Sequence, residues 1–167
     1  MATTGQGPGR RKAAPLGKVL GFMRLIWAID HGLQKASKRM NATLGLTGPQ
    51  RLVIRIVGRT PGVTAGELAD ILHVHPSTLT GILRRLESRR LLERAVDPGD
   101  GRRSFLRLTT QGRAFDQPTN GVVENAVRQA LSGFSEKELR AACDVLDAVA
   151  DGLRDDPPAA RPLKAVR

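Results

Sequence analysis

The sequence predicts a mainly α-helical chain carrying one small β-hairpin, and three observations predict it. Apolar residues recur at three- and four-residue steps through most of the 167 residues. Two short β-runs flank a Pro-Gly turn. Paired capping residues, Thr64 with Glu67 and Ser135 with Glu138, mark helix starts. A chain of this length builds one compact unit with a hydrophobic core.

Residues 1–15 are rich in Gly, Pro, Ala and Thr with a short basic cluster, and they read as a flexible basic tail. From 16 to 40, Leu16, Val19, Leu20, Met23, Ile26, Trp27 and Leu33 form the apolar stripe of a long helix. A stripe of that kind needs a partner. The second helix starts near Thr47, tolerates Pro49 in its first turn and turns Leu52, Val53, Ile56 and Val57 inward. Thr60, Pro61 and Gly62 stop it. The capping box then opens the short helix TAGELADIL, and His73, Val74 and His75 break it. Pro76 opens the next helix at a position where a missing N–H costs nothing, and the helix runs to about Arg90. Its Leu79, Ile82, Leu83 and Leu86 point inward, leaving Ser77, Thr78, Thr80, Gly81, Arg84 and Arg85 outside.

LLERAV and SFLRLT flank DPGDGR, which predicts a hairpin with arginines near its tip. Beyond Thr109, Val122, Val123, Ala126, Val127, Ala130 and Leu131 mark a further helix, with Pro118 and Gly121 predicting a kink or a late start. The last helix follows the Ser135 box and aligns Leu139, Cys143, Leu146, Ala150 and Leu153. Two prolines after Asp155 end it, and 155–167 reads as a second tail.

Charge and composition narrow the function. The chain has 27 basic and 16 acidic side chains, net +11. Residues 1–107 hold 19 basic and 7 acidic, and residues 108–167 hold 8 and 9, so the surplus lies wholly in the first two-thirds. One region is set to face a polyanion while another does something else. A single cysteine rules out an intramolecular disulfide, and neither a leader-type apolar segment nor an apolar run of about 18 residues is present. A cytoplasmic address and no membrane partner are expected. There is no nucleophile elbow, no phosphate-cradling glycine loop and no nucleophile beside a base, so neither an enzyme nor a cofactor is expected.

Two short helices with a three-residue break form a helix-turn-helix pattern, and the basic hairpin after them makes it a winged one. One α-helix fits the major groove of B-DNA. Small hydroxyl residues near the helix start allow close approach, and its positive end attracts phosphate. Ser77, Thr78, Thr80, Arg84 and Arg85 are the candidate groove readers. Arg102 and Arg103 are the candidate minor-groove probe, where narrow A·T segments concentrate negative potential. Gly81 costs about 1 kcal/mol relative to alanine inside a helix, which suggests close approach of DNA there.

Residues 47–113, TAGELADILHVHPSTLTGILRRLESRRLLERAVDPGDGRRSFLRLTTQG with the helix before it, resemble the DNA-binding core of the MarR family of bacterial regulators. The shared text includes the L-T-x-x-G after the wing. The resemblance extends in pattern from 16 to 154. It implies a winged helix-turn-helix over 47–108, with 16–40 and 109–154 as dimerisation helices. It further implies a homodimer, typically a repressor, on a pseudo-palindromic double-stranded operator, with a small aromatic or anionic effector. Asp100 and Arg102 fall on the family's Asp-x-Arg, in which the carboxylate orients the guanidinium. Three positions depart from the family pattern. Gly81 stands where a basic residue is common, Arg84 where an acid is common, and Arg90 replaces the glycine usual after the recognition helix.

Other residues have two readings each. Arg24, Trp27 and His31 share helical spacing and are candidate effector contacts, with Trp27 in a dimer core as the alternative. The second helix holds no acid, which argues against the urate-type pairing of some relatives. Cys143 lies on an apolar stripe and is expected in the core rather than as a redox sensor. His31, His73 and His75 show no metal-ligand spacing, and His75 occupies a helix-cap position. A winged-helix protein-interaction module and a sequence-indifferent architectural DNA binder are the competing functional classes.

Overall fold

A computed structural model describes residues 16–96, 99, 103–117 and 122–154. Asp100, Arg102 and the two expected tails, 1–15 and 155–167, lie outside the described residues. The order is α1 (Gly17–Leu44), α2 (Gly48–Arg59), α3 (Ala65–Ile71), α4 (Pro76–Ser88), β1 (Leu92–Val96), β2 (Ser104–Leu108), α5 (Thr110–Phe115), α6 (Val123–Leu131) and α7 (Glu136–Arg154). The mainly helical architecture with one hairpin is as the sequence predicts.

Helix α1 continues past the expected end at 40 and stops where Gly45, at φ 67°, donates its N–H to the Asn41 carbonyl at 2.9 Å. Three helices start on reciprocal capping boxes. Thr47 with Gln50 opens α2, Thr64 with Glu67 opens α3, and Ser135 with Glu138 opens α7. Accepting the Thr64 backbone N–H, and then its hydroxyl, holds the Glu67 carboxyl below the usual carboxylate range, and Arg103 nearby pulls the same way.

The two helices of the helix-turn-helix end in the same way. At the end of α3, Val74 N–H reaches back to Ala69 O and His73 N–H to Asp70 O, both at 3.1 Å. At the end of α4, Leu91 N–H bonds Leu86 O at 3.0 Å and Arg90 N–H bonds Glu87 O at 2.9 Å. This is the Schellman pattern, and it puts the pivot residue in the left-handed region. His73 (φ 50°) and Arg90 (φ 56°) are the pivots, each where glycine would be unstrained.

The hairpin pairs antiparallel in the register Leu92↔Leu108, Arg94↔Leu106 and Val96↔Ser104. Alternation sends Leu92, Leu106 and Leu108 into the core and Glu93 and Arg107 to solvent, while Arg94, on the Leu92 face, is exposed where it reaches Glu87. Leu106 N–H also donates to Val63 O at 2.8 Å, and Thr64 bridges Phe105. The wing is thereby joined to the segment that caps α3.

Helix α5 is not expected from the sequence, because its six residues are too short for a periodic stripe. It explains L-T-x-x-G. Thr109 accepts from Gly112 N–H at 3.0 Å and donates its hydroxyl to Arg90 O at 2.6 Å, locking the start of α5 to the end of α4. A Cβ on Gly112 would overlap the Leu91 carbonyl oxygen, so no other residue fits without backbone movement.

One apolar cluster holds the lobe, built from Leu46, Val53, Ile54, Val57, Leu68, Leu79, Leu83, Leu86, Leu91, Leu92, Leu106 and their neighbours. Fully burying each such side chain contributes about 1.5–3 kcal/mol. Among the described residues, α1 buries Met40 alone, α6 buries none and is preceded by buried Val122, and no residue of α7 is buried. Two expectations are corrected. Leu52 is half exposed while Gln50 and Arg51 are buried, because α2 packs on the lobe core and also on the α5–α6 connection. Cys143 is exposed, because the α7 stripe it shares faces out of the single chain rather than into a core.

Candidate nucleic-acid interface

Helix α4 presents the candidate groove readers. Leu79, Leu83 and Leu86 anchor one side in the core, which leaves Ser77, Thr78, Thr80, Gly81, Arg84 and Arg85 exposed on the other. His75 caps the helix, with Nδ1 accepting from Ser77 N–H at 3.3 Å and lying 2.8 Å from the Ser77 hydroxyl. That ordering follows from the cap role expected for His75. Thr80 donates its hydroxyl to Pro76 O at 2.8 Å, so toward solvent it offers acceptor lone pairs and a methyl group. Among the described residues, neither Arg84 nor Arg85 forms an ion pair. Both guanidinium groups keep their donors for a partner.

Gly81 has no atom of the chain within 4 Å of where a Cβ would stand, and its backbone is helical. Neither packing nor dihedral geometry requires glycine there. The wing arginines differ from those of α4: Arg94 pairs with Glu87 and Arg107 with Glu93, both at 2.8 Å, while Arg103 lies near the Glu67 carboxylate. Their net field is weaker than the residue count suggests.

Arg24, Trp27 and His31 recur on one face of α1 at steps of three and four, and all are exposed, Trp27 at 74%. An open groove of about 640 Å³ lies elsewhere, lined by Leu52 of α2 and by Val123, Val127, Arg128 and Leu131 of α6. Among the described residues, no group of three His, Cys, Asp or Glu side chains is arranged to hold a metal ion, and no helix is long and apolar enough to cross a membrane.

Sequence reading missed a clasp behind this face. Arg51, 2% exposed, donates from Nε to Glu124 at 2.7 Å and from its two terminal nitrogens to Phe115 O at 2.8 Å and Gln117 O at 3.1 Å. Arg55 binds Asp116 through both its carbonyl and its carboxylate. These two arginines close the last turn of α5 and hold the start of α6. An arginine beside the apolar positions of a short helix was the available signal. Arg89, at the end of α4, likewise donates to Gly45 O at the end of α1.

A helix-turn-helix with a free polar and basic second helix, followed by a hairpin joined to it, defines a winged-helix DNA-binding protein. A family model described as the MarR family matches residues 44–103. The transcriptional regulator HosA of Escherichia coli O111:H- is 36% identical over 97 residues, covering 56% of this chain and 71% of that protein. An HTH-type transcriptional repressor of Mycobacterium tuberculosis is 28% identical over 121 residues, covering 72% and 86%. The crystal structure of the PcaV transcriptional regulator from Streptomyces coelicolor, in complex with its natural ligand, superposes with a TM-score of 0.62 at 25% identity, covering 83% and 96%. The chain belongs to the MarR family of sequence-specific DNA-binding regulators, which are not enzymes.

Proposed function

We propose that this regulator is a homodimeric repressor whose grip on its operator is released or retuned by a small aromatic or anionic effector. The unpaired, exposed α4 face carries the reading. Ser77, Thr78, Thr80, Arg84 and Arg85 read base edges in the major groove. Arg103, together with Arg102 oriented by Asp100, probes the adjacent minor groove, the latter two lying outside the described residues. The positive end of α4 adds attraction for a phosphate.

Support for the homodimer comes from apolar side chains open on helices α1, α6 and α7, including Val19, Leu20, Leu131, Leu146 and Leu153. Apolar area on this scale marks an interaction surface. A two-fold dimer presents two α4 helices to half-sites about one helical turn apart on a pseudo-palindrome. For the effector, Arg24, Trp27 and His31 supply a cation, a ring and an imidazole on one helix face. The ligand of PcaV supports looking for such a site here. A repressor with this partner is cytoplasmic and sits on the nucleoid when bound.

A gel-shift titration tests the reading. Affinity for the gene's own upstream region should exceed that for random duplex and fall steeply with salt. Replacing Arg84 with Ala should flatten preference at one or two base positions, while Arg103→Ala should weaken all duplexes alike. Equal binding to upstream and random DNA would overturn sequence-specific repression and favour an architectural binder.

A further inference from the structure

The break between α3 and α4 carries a side chain that the DNA reading leaves unused. His73 pivots the Schellman turn at φ 50°, a conformation that glycine adopts freely and a bulkier residue only at a cost. Its imidazole faces α7. Nδ1 lies 3.2 Å from the Asp151 carboxylate and Nε2 3.8 Å from that of Asp147, so both ring nitrogens meet acids one helical turn apart.

Helix α7 is otherwise lightly held by its own chain. Over Glu136–Leu153 only Leu139, Val149 and Ala150 are even partly covered. The two His73 contacts join α7 to the helix-turn-helix. The other end of the recognition helix is also tied, through Arg89 to the end of α1. The reading helix is thus moored at each end to a different one of the long helices outside the lobe.

We propose that His73 is a positioning residue, which clamps α7 to the helix-turn-helix turn and so makes the placement of α4 on DNA depend on where α7 lies. This rests on the DNA-binding role of α4 and adds a route by which a movement of α7 reaches it. The imidazole touches no base or phosphate in this scheme. It acts through the turn, whose Schellman bonds close α3 immediately before the His75 cap that opens α4. A shift of α7 by one side-chain contact removes the carboxylates from His73 and uncouples α7 from the turn.

The test uses the full chain and a duplex selected from a random pool by the wild type. His73→Asn keeps a residue that tolerates the left-handed turn and loses the imidazole. It should leave the melting temperature within error, speed amide exchange over 145–153, and weaken affinity for the selected duplex about fivefold or more. The double variant Asp147→Asn with Asp151→Asn should do the same, and adding His73→Asn to it should change nothing further. Affinity within twofold of wild type in His73→Asn overturns the proposal, even where α7 exchanges faster. So does additivity of the two sets of changes. Failure of the DNA reading itself would show separately, as a wild type that binds selected and scrambled duplexes alike.

Discussion

Replacing Arg51 with Met removes the clasp at the α5–α6 connection while keeping a long side chain in its place. The arginine is 2% exposed and makes three charge-assisted hydrogen bonds, one to a carboxylate and two to backbone carbonyls. Breaking a buried pair from one side costs about 3–5 kcal/mol. The lower figure applies here, since Glu124 is a third exposed and regains water, leaving the Phe115 and Gln117 carbonyls as the main unpaired groups. With a urea slope of about 2 kcal/mol/M for a chain of this size, a loss of about 3 kcal/mol lowers the midpoint by about 1.5 M. Urea unfolding followed by circular dichroism, at one fixed protein concentration, measures it. Glu124→Gln should lose less, and the double variant should fall short of the sum of the two single losses, because Arg51 and Glu124 share one interaction. A midpoint within about 0.3 M of wild type would refute the clasp as an energetic element.

Gly81→Ala should stabilise the free protein by about 1 kcal/mol, since nothing occupies the space a Cβ would take, yet weaken operator binding if DNA approaches there; thermal melting and gel shift read the two signs separately. Arg90→Gly relieves a left-handed arginine and should add about 0.5–1 kcal/mol, seen as a melting temperature higher by about 1–4 °C. The Glu67 carboxyl is lowered by its bonds to Thr64, so the α3 cap contributes fully above the usual carboxylate range and is lost as pH falls through the lowered folded value. In Thr64→Ala, a carboxyl-detected NMR titration should find the Glu67 midpoint moved up toward its ordinary 4.5.

What could be read from the sequence follows the range of the interactions involved. Capping boxes at Thr64 and Ser135, the Pro76 start and the hairpin alternation are local, and each stands where it was expected. Thr47 and Gln50 carry the same local signal at the start of α2. Arg51 illustrates the other kind. Its partners lie more than 60 residues away in a connection with no pattern of its own, so an arginine among apolar neighbours looks like a surface charge. Cys143 and Trp27 show a third limit. Periodicity reveals that a face is apolar, but whether the cover is the same chain or another is a matter of assembly. The α4 face was legible because its buried leucines fix which residues remain outside.

The bond from Leu106 to Val63 ties the wing to the start of α3, the first helix of the helix-turn-helix. In the proposed dimer, the spacing of the two lobes is adjusted behind that unit, where Arg51 and Arg55 grip the joint between α5 and α6. On the proposed reading, the bases read in a half-site and the gap between half-sites are set by separate parts of the chain. Variants at the joint should select operators with the same half-site text and a changed spacer. Substitutions on α4 should rewrite the text and leave the spacer alone, so the two could evolve independently as new promoters are acquired.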